Sequence, residues 1–237
     1  MRLDAFLVDR GEFESRNKAA EAIRAGRVSI GGRQVSKPSH KVGPEDEVAV
    51  AEGEDWVSRA AGKLAGYLRE HPVAITGKTC LDIGSSTGGF SQVLLHQGAA
   101  RVDAVDVGRD QLHLSLREDP RVRVYESTDI RDFKPESRYL IIVSDVSFIS
   151  LSHILPSFAR LAEEGAEVIL LFKPQFEVGR EAKRDRRGVV TDERAIVAAM
   201  ERFEGETAAL GWELLRKVPS TVTGKEGNLE WVYHFRL

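Results

Sequence analysis

The chain has 237 residues, 42% of them hydrophobic and 30% charged, with a formal net charge of −3 and one cysteine. That length allows one sizeable core plus a small module, and no apolar run approaches the roughly 18 residues of a membrane-spanning helix, which excludes that class. Cys80 alone cannot close an internal disulfide, and His40, His71, His96, His113, His153 and His234 show neither ligand-type spacing nor cysteine partners, so no metal site is expected.

The N-terminal stretch "MRLDAFLVDRG" has acids inside a short apolar run and lacks a small-residue cleavage site. It is therefore not read as a secretion signal, and a cytoplasmic protein is expected. Leu3, Phe6 and Leu7 make a helical stripe ending at Gly11, and Ser15 is placed to cap a second helix, apolar at Ala19, Ala20 and Ile23 and stopped by Gly26. "RVSI", the pair Gly31-Gly32, "RQV" and "EVAV" read as short strands with a hairpin-type turn. From Ser15 to Gly43, Arg16, Lys18, Arg24, Arg27, Arg33, Lys37 and Lys41 face the single acid Glu21, a window of +6 that leaves −9 for the remainder. Such asymmetry is the footprint of a nucleic-acid-binding module joined to an acidic body, the plainer alternative being a solvated basic face. Carried by "RLDAFLVDRG", "SRNKAAEAIRAGRVSIGG" and "RQVSKP", the segment resembles the S-four RNA-binding domain. Residues 1–50 are accordingly expected to form a small α+β domain that meets RNA through Arg2 and the seven basic residues. With no aromatic platform evident there, shape and phosphate would be read rather than bases.

The acidic, aperiodic "AEGEDWVS" marks residues 51–57 as a linker. Residues 58–237 then alternate apolar runs with helical patterns. Strands are expected at "TCLDIG", "RVDAVDV", "VRVYE", "YLIIVSDV", "EVILLF", "WELLRKV" and "LEWVYHFRL", and helices around Phe90–Gln97, Gln111–Glu118, Leu151–Glu163 and Asp192–Leu210. This is an α/β pattern, a mostly parallel seven-stranded Rossmann-like sheet covered on both faces. The last two strands leave no room for a helix between them, so the last is expected to run antiparallel.

The turn after the first of these strands, Asp82 to Phe90, carries Gly84, Gly88 and Gly89 but has Ser86 where a dinucleotide fingerprint needs its middle glycine. No Gly-Lys-Ser/Thr follows, which excludes a phosphate-cradling Walker loop. Asp106 closes the second strand 18 residues after Gly88, where a carboxylate can accept both ribose hydroxyls of an adenosine. S-adenosylmethionine, an adenosine ligand without phosphate, suits this set better than a nicotinamide cofactor. The expected contacts are Asp82, Gly84, Ser85, Ser86, Thr87, Gly88, Gly89, Phe90, Asp106 and Val107, with Thr128, Asp129 and Ile130 near the adenine and Asp145 near the methyl donor.

Ligands in such sheets bind outside the C-terminal strand ends. Asp145 ends the fourth strand, Lys173 ends the fifth, and Glu230 begins the antiparallel last strand, so all three should reach one rim. Lys63 lies on a helix before the first strand, where periodicity alone reads it as a surface lysine. "VSRAAGKL", "CLDIGSSTGGFSQVLL", "AVDVGRDQL", "SDVSFISL", "LFKPQFEVGR" and "TGKEGNLEW" resemble the TlyA group of RNA ribose 2′-O-methyltransferases, whose catalytic domain is similar to FtsJ. Members of that group often carry a hemolysin label. The resemblance implies catalysis by Lys63, Asp145, Lys173 and Glu230 without a metal, acting on ribosomal RNA or ribosomal subunits with cytidine as the expected target. Within that set Lys173 is assigned as general base, with Asp145 orienting it and Glu230 holding Lys63. Two departures stand out: Ala60-Ala61 replace a common Gly-Gly, and Asp129 a common Asn. "GREAKRDRRG" adds five cations against two acids, an expected RNA-clamping loop with Arg184 and Arg187; Arg59 is a further candidate contact. A non-catalytic RNA-binding regulator and a membrane-acting hemolysin are the alternatives.

Overall fold

The computed structural model describes residues 1–24, 26–51 and 56–237. The chain folds as two compact units, Met1–Asp55 and Trp56–Leu237. Of the stretch read as linker, residues 52–55 lie outside the described ones, while Trp56 and Val57 pack against the core of the larger unit.

In the smaller unit, α1 (Leu3–Asp9) and α2 (Arg16–Arg24) precede the strands β1 (Val28–Ile30), β2 (Arg33–Gln34) and β3 (Val48–Val50). The three strands form an antiparallel sheet in the order β2-β1-β3. Gly31 and Gly32 both have positive φ, so the two-residue loop twists as the flanking strands require. The Ser15 hydroxyl accepts the Lys18 N–H at 3.3 Å, capping α2 as its position suggested. Leu3 and Leu7 of α1, Ala19, Ala22 and Ile23 of α2, Val28 and Val48 close one core with Phe13 and Val42.

The larger unit begins with α3 (Arg59–Glu70), followed by β4 (Thr79–Ile83), α4 (Gly89–His96), β5 (Arg101–Val105), α5 (Leu114–Arg117), β6 (Val122–Tyr125) and β7 (Tyr139–Ser144). A 3-10 turn (Leu151–His153), α6 (Leu155–Leu161), β8 (Ala162–Phe172), α7 (Pro174–Glu177), α8 (Glu193–Ala209), β9 (Glu213–Pro219) and β10 (Trp231–Arg236) complete it. All seven expected strands form and join in the order β6-β5-β4-β7-β8-β10-β9. Neighbours from β6 to β8 run parallel, and β10 is antiparallel to both β8 and β9. Apolar residues alternate between two cores. One lies under α6 and α8 and includes Ile83, Ile142, Leu170 and Phe235. The other lies under α3 and α4 and includes Cys80, Ile141, Val143 and Val232.

Two helices differ from expectation. The segment Leu151–Glu163 is not one helix, because Pro156 has no N–H to give and is accommodated only in a first turn. The helix therefore restarts at Leu155, and Ala162 already pairs with Tyr139 in the sheet. The helix expected from Gln111 starts only at Leu114, since the N–H groups of Asp110, Gln111 and Leu112 are taken by the carboxylate of Glu126 at 2.9, 2.9 and 3.1 Å.

Phe203 of α8 is fully buried, with the rings of Phe172, Tyr233 and Phe235 at 5.6, 5.2 and 6.0 Å. Phe203→Ala should lower the unfolding free energy by about 3–5 kcal/mol, as large-to-small changes in tight aromatic cores do. Urea unfolding followed by circular dichroism checks this, and a loss below about 1 kcal/mol would mean the cluster collapses around the gap.

Candidate active site

The C-terminal ends of β4 to β8 share one rim, and the loops leaving them are held in strained backbone. Among the described residues, the non-glycine positions with positive φ are Ser86, Asp110, Ser127 and Phe148, which follow β4, β5, β6 and β7 respectively. Such conformations persist where surrounding contacts enforce them, commonly at functional sites.

The turn after β4 is built from buried contacts. Asp82 is fully buried, and the Ser91 hydroxyl of α4 donates to its Oδ2 at 2.6 Å while Oδ1 has no partner. Burial pushes its carboxyl up to about 7 despite the Ser91 bond. Gly84, at φ +78, is required by close approach: a Cβ there would stand 2.8 Å from Val146 Cγ1. Ser85, Gly88, Gly89 and Phe90 are buried, Phe90 within the apolar core, whereas Ser86 and Thr87 face solvent. Asp106, just beyond β5, accepts the Ser86 N–H at 2.8 Å and the Gly108 N–H at 2.6 Å, which ties the glycine turn to the neighbouring loop. Val107 beside it is 71% exposed.

Glu126 braces that loop through its three backbone bonds and Arg117 at 2.7 Å, a feature with no periodic trace in the sequence. These bonds, that from Arg117 foremost, hold its carboxyl down at about 2. After β6, the Thr128 hydroxyl donates to the Glu126 carbonyl and Ile130 is buried. Asp129 accepts from the Arg131 guanidinium at 2.9 and 2.6 Å, so the carboxylate expected near adenine is also an ion-pair partner.

The four ionisable residues expected on this rim do meet. Lys63 Nζ lies 2.6 Å from Glu230 Oε2 and 3.3 Å from Asp145 Oδ2. Lys173 Nζ lies 2.6 Å from Asp145 Oδ1, and it also donates to the Asp145 carbonyl at 3.1 Å and the Ser147 hydroxyl at 2.8 Å. Both lysine side chains are about 94% buried, at 6% and 7% exposure. Far from being a surface lysine, Lys63 is drawn inward by two carboxylates. Beside the cluster, Phe148 is 91% exposed and its ring sits 5.2 Å from that of Phe176, which also approaches the Lys173 ammonium at 5.9 Å. Ser147, Phe148, Gln175 and Phe176 were not singled out from the sequence, although each lies within two or three residues of a lysine or aspartate that was.

The expected RNA contacts divide by their environment. In the smaller unit Arg24, Arg33, Lys37 and Lys41 are exposed, and Arg27 is half-buried over the Phe13 ring at 5.9 Å. Arg2 and Arg16 bind the buried Asp4 at 2.8 and 3.1 Å, holding its carboxyl well below the usual range, the Arg2 bond being the larger cause. Lys18 pairs with Glu14 at 2.6 Å. In the larger unit Arg59 is exposed, Arg184 donates to the Gln175 carbonyl at 3.2 Å, and Arg187 leans on Asp185 at 3.4 Å. Among the described residues there is no cluster of His, Cys, Asp and Glu fit for a metal ion, and no helix long and apolar enough to cross a membrane.

A seven-stranded sheet with one antiparallel member, a glycine turn after its first strand and a carboxylate closing the next defines a Rossmann-like domain of the methyltransferase class. The FtsJ-like methyltransferase family matches residues 56–237, and the S4 domain matches residues 1–48. The chain is 44% identical to the 23S rRNA (cytidine-2′-O)-methyltransferase TlyA of Campylobacter jejuni, over 99% of each chain. It is 42% identical to the 16S/23S rRNA (cytidine-2′-O)-methyltransferase TlyA of Mycobacterium tuberculosis, over 99% of this chain and 89% of that one. A solved structure from Streptococcus thermophilus that carries a hemolysin label is similar at a TM-score of 0.74 and 34% identity, covering 100% of this chain and 88% of that one. The chain belongs to the TlyA family of FtsJ-like methyltransferases.

Asp82 provides a pH test of this site. Its folded pKa, about 7, exceeds the unfolded value of about 3.9, so its favourable contribution is complete below about pH 4 and is lost as the pH rises through about 7. Asp82→Asn, which cannot ionise, should raise the melting midpoint by several degrees at about pH 8 and by much less at about pH 4. Calorimetry across that range decides, and a difference independent of pH would rule out a buried, neutral-preferring carboxyl.

Proposed function

We propose that this chain transfers a methyl group from S-adenosylmethionine to a ribose 2′-hydroxyl of ribosomal RNA, with cytidine as the target nucleotide. The observation that carries the reading is the joining of Lys63, Asp145, Lys173 and Glu230, from four separate elements, beside the glycine turn. The residues present fit the cofactor. Asp106 supplies a carboxylate suited to a ribose diol, and the Ser86 N–H points at that carboxylate rather than into the turn, where a diphosphate would need it.

When bound, S-adenosylmethionine supplies a methyl group made electrophilic by its sulfonium. The chain's residues then have to orient a weak nucleophile and remove its proton. Lys173, acting as its neutral amine, is assigned the 2′-proton and becomes the ammonium, its Nζ aimed by Asp145 and Ser147. Lys63, pinned between Glu230 and Asp145, keeps a positive charge beside the reacting oxygen and can hold the adjacent phosphate. Phe148, exposed on the rim, offers a face on which an unstacked base can rest. The smaller unit serves as the RNA-binding module, through Arg24, Arg33, Lys37 and Lys41 together with Lys18, and Arg180, Lys183, Arg186 and Arg187 extend the contact in the larger one.

Transfer of labelled methyl to ribosomal RNA tests the reading. Lys173→Ala should cut the rate by about 100-fold or more while calorimetric S-adenosylmethionine binding persists. Preference for NAD over S-adenosylmethionine would sink it. Arg24→Glu should weaken RNA affinity and flatten its salt dependence by about one unit of slope, with cofactor affinity unchanged. An equal fall in cofactor affinity would refute the division of labour between the units.

A further inference from the structure

A fifth polar side chain enters the charge cluster. Gln175 lies in α7, two residues after Lys173, and its Nε2 donates to Glu230 Oε1 at 3.2 Å. The other oxygen of that carboxylate, Oε2, accepts Lys63 Nζ at 2.6 Å. A carboxylate only accepts hydrogen bonds, so the amide must turn its NH2 toward Glu230 and its Oε1 away. That Oε1 is buried without a donor. An unsatisfied buried carbonyl is costly, so the amide keeps this orientation for its bond to Glu230 and not for its own hydrogen-bonding balance. Gly224 closes the other side, since a Cβ there would stand 2.6 Å from Glu230 Oε1. The backbone carbonyl of Gln175 meanwhile receives Arg184 from the basic loop at 3.2 Å.

We infer that Gln175 is a positioning residue: by holding Oε1 of Glu230 it turns Oε2 onto Lys63, and so fixes Lys63 against Asp145. As a statement about catalysis this rests on the methyl-transfer reading; as a statement about Lys63 it does not. The charged groups around position 175 are Glu230 before β10, Lys63 of α3, Lys173 at the end of β8, and Arg184 on its carbonyl.

Gln175→Met keeps the length of the side chain and removes the donor and the orphan oxygen together. It should lower kcat about 10- to 100-fold, as slight misplacement of reacting groups does, with S-adenosylmethionine affinity, RNA KM and melting midpoint unchanged. In Gln175→Glu two carboxylates face each other, and a shared proton restores the donor as the pH falls. Its activity relative to the unmodified chain should therefore climb between about pH 8.5 and about pH 6. Reductive methylation of lysines read by mass spectrometry is independent of turnover: Lys63 should label several-fold faster in Gln175→Met. Full kcat in Gln175→Met, a flat pH ratio in Gln175→Glu, or unchanged Lys63 labelling overturns the assignment. If the unmodified chain transfers no methyl to ribosomal RNA, the functional reading fails, and the labelling result alone still decides the placement of Lys63.

Discussion

The rim of the larger unit is organised by alternation of charge: Glu230, Lys63, Asp145 and Lys173 form a chain in which each ion touches only opposite ones. Desolvating an isolated ammonium or carboxylate costs several kcal/mol, and only good geometry with further hydrogen bonds offsets it. Here the ends are finished by neutral partners, Gln175 on Glu230 and Ser147 on Lys173. Removing Lys63 leaves Glu230, and removing Asp145 leaves Lys173, buried without an opposite charge. The cluster is thus one unit with zero formal charge, in which Lys173 can give up a proton while Asp145 keeps Lys63 as its partner.

Bringing four such groups together from distant parts of the chain is a problem of topology. Parallel strands deliver Asp145 and Lys173 to one rim because both follow C-terminal ends. Glu230 stands at the start of a strand, and reaches the same rim only because β10 runs antiparallel beside β8, with Trp231 opposite Phe172. Lys63 comes from α3, whose next turn is anchored by the Tyr67 hydroxyl, 2.8 Å from His234 Nδ1 of β10. Lys63 with Glu230 and Tyr67 with His234 form two rungs between the same helix and the same strand segment. The antiparallel strand therefore assembles the charge cluster as well as ending the sheet.

Much of this was legible in the sequence. Long apolar runs bounded by turn residues marked all seven strands, and strand-end logic brought Asp145, Lys173 and Glu230 to one edge before any geometry was known. Lys63 was different, because helical periodicity records which face is apolar and says nothing about a carboxylate 82 residues away. Only the resemblance to related methyltransferases drew it in. Gln175, Ser147 and Glu126 escaped for the same reason: a side chain that acts by one long-range hydrogen bond leaves no pattern in its own neighbourhood. Helix ends failed where a specific chemical group intervened, Pro156 in one case and the Glu126 carboxylate in the other.

Net charge in a window is also an incomplete guide to what a phosphate would meet. The +6 of residues 15–43 overlooks Asp4 and Glu14, which lie outside it and engage Arg16 and Lys18. These two pairs are not equivalent. Asp4 is buried, and also accepts Arg2 and the Ala5 N–H, so drawing Arg16 onto a phosphate would leave a sequestered carboxylate less well paired. Glu14 is exposed and can return to water when Lys18 swings away, since exposed pairs contribute little. Arg16 thus belongs first to the fold of the smaller unit, whereas Lys18 joins Arg24, Arg33, Lys37 and Lys41 as charge available to a polyanion.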